Sequence, residues 1–414
     1  MVYIPFVYFI CVFAYIYYKQ RSWNMDLAAT SLLIVISFFA ILIDIKDIYG
    51  DYGINNYSIT LPTVILFCIQ WTFVIMLIRS ICRRPLQKHI IIKEKLLYAF
   101  LFLITIASGI MIVTKITDIR DALIMDMADV RGQHYEDLAA GASDGSNYLM
   151  LIPNILTCTP IPTIALFFWF YMKSFMKCPT FLTTGILIAS IVQAILAIIM
   201  AGRAAMIYWA FDFFMLYSFF YQYLAQSIKR KINLTALLFG GLAAFLFISI
   251  TISRFGEGSR DPLESLYGYA GQHVNNFCTM FVHASDSPFS IDRIFPLTSK
   301  IMGNQFDLME HYTNITSHIR SDIFVNVFDT FGGEIYLDLG WVGYILFFLF
   351  MFIFTIIIQH RLTELKFHNV FILIIIIAFF TRGLFAWPFT NHYTTLALIL
   401  TLFNRYLFKY IFKI

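Results

Sequence analysis

Apolar residues in this chain come in long runs, and polar ones gather between them. The runs lie at roughly 2–18, 27–44, 59–79, 97–114, 148–172, 181–201, 204–224, 234–252, 335–358, 370–388 and 393–412. Most approach or exceed the roughly 20 residues that carry a helix across a bilayer. They are apolar all round and do not alternate with period two, which excludes barrel strands and predicts helices. The pattern therefore predicts an all-α polytopic membrane protein with about eleven transmembrane helices. Between the sixth and seventh runs, Gly202-Arg203 marks either a tight turn or a kink in one longer helix.

One polar island interrupts the pattern, at 253–334, between the eighth and ninth spans. Loops beyond about 12–15 residues are usually functional or disordered. This one is too aromatic for disorder, with Phe255, Tyr267, Tyr269, Phe277 and Phe281 among its rings. It reads as a large helical loop folded as a cap over a membrane-level site. The expected division is 1–252 for the first eight spans, 253–334 for the cap and 335–414 for the last three.

Composition agrees: 60% of residues are hydrophobic and 13% charged, which is not a soluble globular balance. Net charge, +4, says less than its placement. Lys19 and Arg21, the Arg83–Lys95 cluster, Lys173 and Lys177, Lys229–Lys231, Arg361 and Lys366, and the C-terminal Arg405, Lys409 and Lys413 fall on alternate loops. Acids dominate the others: Asp44, Asp47 and Asp51, then Asp118 to Asp137, then the island. Cytoplasmic loops are enriched in Lys and Arg. This register predicts an N-terminus and island on the outer side and a cytoplasmic C-terminus, with Met1 to Tyr18 as a retained first helix. Six cysteines show neither a CxxC pair nor metal spacing, so no disulfide framework is expected.

Ionisable residues at membrane level carry the chemical signal, since each costs at least about 2.5 kcal/mol there. Arg203, Arg254, Arg320 and Arg382 can all reach the outer headgroup level. Guanidinium forks match phosphate oxygens bidentately, so a lipid-linked phosphate or diphosphate is the natural ligand. Snorkelling or an internal ion pair is the alternative for each arginine taken singly. A second constellation runs from Asn326 into the ninth span. Gly332-Gly333 allows a sharp turn or a close backbone approach, and Glu334 and Asp338, four apart, share a helix face. They serve as helix-end carboxylates or as the general base that activates a sugar hydroxyl; His318 is the third candidate for that base. No metal-ligand spacing, Walker loop, dinucleotide fingerprint or nucleophile elbow is present. No metal or cofactor is expected, and nothing points to nucleic acid.

These pieces resemble the O-antigen (oligosaccharide repeat unit) polymerases of the bacterial inner membrane, the Wzy type. The resemblance rests on Ala201-Gly202-Arg203 between two spans and on Ser253-Arg254-Phe255-Gly256 opening the large loop. It rests also on the Asn326-Val327-Phe328 to Gly340-Trp341-Val342-Gly343 segment that closes the loop. It implies a GT-C-like membrane glycosyltransferase acting on the periplasmic side. A growing glycan would pass from undecaprenyl diphosphate to an incoming lipid-linked repeat unit, with a chain-length-regulating copolymerase as partner. Arg203, Arg254 and Arg320 would hold the donor diphosphate; Arg382 joins them by position alone. The competing readings are an O-antigen ligase and a lipid-linked oligosaccharide transporter or flippase. A ligase would carry a His-Asn pair where this chain has Phe328-Asp329-Thr330.

Overall fold

The computed structural model describes residues 1–48, 58–86, 94–125, 150–176, 178–200, 202–255, 262–284, 289–303, 311, 313–315 and 329–411. Among them there is no strand; Leu86 and Leu365 form an isolated parallel bridge. The helices are α1 (Tyr3–Gln20), α2 (Met25–Lys46), α3 (Leu61–Cys82), α4 (Glu94–Thr114), α5 (Ile116–Ile124), α6 (Leu151–Thr157), α7 (Ile161–Phe175) and α8 (Thr180–Leu196). They continue with α9 (Ala204–Phe220), α10 (Gln226–Phe255), α11 (Pro262–His283), α12 (Pro296–Ile301), α13 (Thr330–Arg361), α14 (Phe367–Gly383) and α15 (His392–Ile411).

Each expected run contains helix. Five of the described helices are long and apolar enough to cross a membrane: α2, α3, α4, α8 with the 3-10 turn that follows it, and α13. The bent pair α6 and α7, which meet at 57°, makes a sixth if the two are counted as one broken span. The exposed faces are themselves apolar: Val342, Ile345, Leu346, Leu349, Phe350 and Ile353 on α13 are all between 47% and 71% exposed. A stripe of that length is stable against lipid and not against water. The chain is an all-helical, multi-pass membrane protein. The Gly202-Arg203 break is a turn between two helices, closed by the Gly202 N–H to the Ala197 carbonyl at 2.8 Å.

Two compact bodies make up the chain: Met1–Gln87 with Leu263–Leu396, and Lys88–Pro262 with Ala397–Ile414. In the second body α7 is the centre, buried at every residue from Ile161 to Met172, as expected of a helix apolar on all sides. α8 and α9 pack on it and α4 packs on α8. A buried hydrogen bond from Thr163 Oγ1 to Asp212 Oδ2 (2.7 Å) ties α7 to α9.

In the first body α3 is the spine, contacted by α1, α2, α13 and α14. Asn24 caps α2 through its side chain, and Thr60 and Thr63 form a capping box at the start of α3. The described helices of the island are the end of α10, α11, α12 and the start of α13. α11 runs alongside α2 and α3: His283 Nε2 meets Ser58 Oγ at 2.8 Å, Phe277 packs on Phe67 at 5.5 Å, and Gly271 lies against the Phe39–Ala40 backbone. A Cβ at Gly271 would collide with that backbone, so only glycine permits this approach.

α13 differs from the expected ninth span, 335–358. It begins at Thr330, not 335, and it reverses. Gly340 sits at φ 63°, ψ −166°, a conformation closed to other residues. On either side of it, Thr330 Oγ1 accepts from Gln70 Nε2 (3.3 Å) and Tyr344 OH donates to Gln70 Oε1 (3.4 Å). An unbroken helix would hold Thr330 and Tyr344 about 21 Å apart along its axis, so one amide could not reach both. Residues 330–339 therefore fold back on the start of 341–361, and Phe331 packs on Phe348 at 5.8 Å. Gln70 lies near the middle of the 22-residue α3. The Asp329–Thr330 end of the hairpin is thus level with mid-helix.

Candidate functional site

Glu334 and Asp338 do share one face of the rising arm of the hairpin, and a single guanidinium spans them. Arg293, from the turn Ile291–Phe295, donates from Nε to Asp338 Oδ2 (2.9 Å) and from Nη2 to Asp338 Oδ1 (3.0 Å). Nη2 also donates to the Glu334 carbonyl at 2.9 Å, and Nη1 lies 3.4 Å from Glu334 Oε1. His311 Nε2 meets Asp338 Oδ1 at 3.1 Å. The reversal at Gly340 takes part as well: it turns the end of the arm outward, and the Asp338 carbonyl accepts the Ser290 N–H at 2.9 Å.

The other oxygen of Glu334, Oε2, accepts the backbone N–H of Trp387 at 2.6 Å, and the Trp387 indole donates to the Ile294 carbonyl at 3.2 Å. The turn after α14 is bound in this way to both partners of the cluster. It is bound again at the foot of the arm, where the Thr330 N–H meets the Phe385 carbonyl at 3.3 Å. Arg382, 6% exposed, closes α14 within this turn and donates from Nη1 to Thr381 Oγ1 at 3.1 Å.

The ion-paired side chains are withdrawn from solvent: Arg293 and Asp338 are 0% exposed and Glu334 is 2% exposed. Buried charge is tolerated when it is paired and hydrogen-bonded, and here Asp338 is paired fully. Both of its oxygens are held, Oδ2 by Arg293 and Oδ1 by Arg293 and His311. Glu334 is held less completely, by one amide and one guanidinium nitrogen.

At the foot of the arm Asp329 is 1% exposed, and neither carboxyl oxygen has a hydrogen-bond partner among the described residues. Burial, then the neighbouring Glu334, pushes this carboxyl well above the usual carboxylate range, against the pull of Arg293. On α11, burial pushes His273 down to about 3, so its imidazole is neutral. Thr330 follows Asp329 at φ 61°, a left-handed conformation that a β-branched residue rarely adopts. Gly332 has no room for a side chain against Gln70 Oε1, the close approach its sequence allowed.

Of the residues singled out from the sequence, the structure joins Glu334 to Asp338 and brings the turn after Arg382 to them. Arg203 is 5% exposed at the start of α9, in the second body. Arg254 lies in the last turn of α10; its side chain, Arg320 and His318 are outside the described residues. Arg293, His311 and Trp387 were not anticipated. One signal was available for Arg293: two acids on one helix face of an apolar chain require a cation. Comparison with known protein families, with curated proteins and with solved structures returns no match to this chain.

Proposed function

We propose that this protein is a GT-C-like glycosyltransferase of the bacterial inner membrane, with about eleven spans. It polymerises undecaprenyl-diphosphate-linked oligosaccharide repeat units into surface polysaccharide on the periplasmic side. The observation that supports this reading is the position of Glu334, between the middle of α3 and its acidic-loop end. There it is held by the Trp387 amide and Arg293, with Arg382 in the adjoining turn. A carboxylate set beside a guanidinium group at that depth suits the reaction. The carboxylate takes the proton of the acceptor hydroxyl as the glycosidic bond forms. Cations stabilise the charge that builds on the departing lipid diphosphate. No nucleotide sugar exists in the periplasm, so the lipid diphosphate is the activated donor.

In this account Arg203, Arg254, Arg320 and Arg382 contact the diphosphate and no metal is used. A copolymerase sets chain length, the N-terminus is periplasmic and the C-terminus cytoplasmic. A glycan ladder tests it, from a deletion strain complemented with wild type, Arg203→Ala or Arg254→Lys. Lipid A core carrying one repeat in the variants, against a full ladder in wild type, is the expected result. Long chains in both variants would overturn it.

A second reading, a transporter or flippase for the same lipid-linked oligosaccharide, is favoured by the reversed arm 330–339. Broken helices ending at mid-membrane are where transporters hold substrate. That reading requires a core with no repeat at all in the deletion strain.

A further inference from the structure

We propose that Asp329 is a proton-binding site, a carboxyl of the buried cluster that carries a proton at neutral pH. The donors decide this. Three carboxyls gather at the hairpin, and Arg293 gives both its parallel bonds to Asp338 and its remaining reach to Glu334. His311 turns to Asp338, and the Trp387 amide to Glu334. Nothing among the described residues donates to Asp329, which is 1% exposed. An ionised carboxylate so placed costs far more than a neutral acid, and the group neutralises instead.

The backbone supplies an independent observation. Thr330 is held at positive φ by Gln70 on its hydroxyl and by the Phe385 carbonyl on its N–H. Such strain costs on the order of 1–3 kcal/mol and persists where surrounding structure imposes it, typically at functional sites. Here it fixes Asp329 at the foot of the arm, level with the middle of α3. A helix start would ordinarily hold an aspartate as a cap, yet the Asp329 side chain makes no capping bond.

Among the described residues, the titratable and charged groups on the elements around this turn are Glu334 and Asp338 on the arm, Arg293 and His311 beside it, His273 on α11 and Arg382 at the end of α14. Glu334 raises the affinity of Asp329 for its proton and Arg293 lowers it. The proton is therefore tied to the charge on Glu334. It is released when a cation enters the cluster or when Glu334 loses its own charge. This holds whether the protein transfers a glycan or moves one.

Infrared spectroscopy of the full chain in detergent tests the assignment without reference to activity. A protonated carboxylic acid gives a carbonyl stretch above the amide envelope that shifts in deuterium oxide. At neutral pH the wild type should show that band and Asp329→Asn, isosteric with the acid, should lack it. Should the Asn variant fail to fold, Glu334→Gln serves instead: its band remains and titrates away at lower pH than in wild type. A band undiminished in Asp329→Asn, no band in wild type, or an unmoved midpoint in Glu334→Gln overturns the proposal.

Discussion

Arg293 grips Asp338 with two parallel hydrogen bonds, Nε to Oδ2 at 2.9 Å and Nη2 to Oδ1 at 3.0 Å, in an environment neither shares with water. This pair fixes the rising arm of the hairpin against the turn that carries Arg293. Removing one partner strands a buried charge, at a cost of about 3–5 kcal/mol. Arg293→Met should therefore lower the thermal midpoint in detergent steeply, and Asp338→Leu similarly. The double variant should lose much less than the sum, because the two charges disappear together. Additive losses would deny the pairing.

Gly340 reverses the chain in a conformation essentially reserved for glycine, and a Cβ there meets nothing within 4 Å. Gly340→Ala should accordingly cost about 1–3 kcal/mol from backbone strain alone. A loss near zero in the same melting assay would mean that 330–361 runs straight.

Gly332 is crowded by the Gln70 side chain and not by backbone. Gly332→Ala should destabilise, and Gln70→Ala, by opening the space, should restore part of the loss in the double variant. The measured quantity is the coupling between the two sites. Independent effects would remove Gln70 from the foot of the arm.

Asp329 makes stability depend on pH. Its carboxyl holds a proton more tightly in the native protein than in the unfolded chain, so the native state loses ground as pH climbs through the ordinary carboxylate range and beyond. Asp329→Asn lacks that loss. Its advantage over wild type should grow with rising pH, at up to about 1.4 kcal/mol per pH unit for one proton, until Asp329 ionises in the native state. An advantage that grows on acidification would give Asp329 the opposite shift.

The helices were legible because hydrophobic length is a local property, and each expected run contains helix. The Glu334 and Asp338 face was legible for the same reason, as a spacing of four. Two features left no such trace. At Gly340 the sequence Leu339-Gly340-Trp341-Val342 stays apolar across the reversal, so hydropathy continues where the chain turns back. α11 is polar enough to pass for a loop, yet Gln272, His273, Asn275 and Asn276 are all buried beside α3. Packing partners, not composition, make that possible. The Arg293 pairing crosses 45 residues of chain and could be read from the sequence only as a need for some cation.

Chain elongation by purified protein measures directly the proposed role of Glu334 in taking a proton during glycosyl transfer. Proteoliposomes carrying wild type or Glu334→Gln would receive undecaprenyl-diphosphate-linked repeat units isolated from the host, and products would be sized on a gel. Thermal melting would show that both proteins are folded. Elongation by wild type, reduced at least 100-fold in Glu334→Gln, in line with the roughly 10²–10⁴ that a general base contributes, is the predicted result. Equal elongation by the two proteins, or none by wild type, would contradict it.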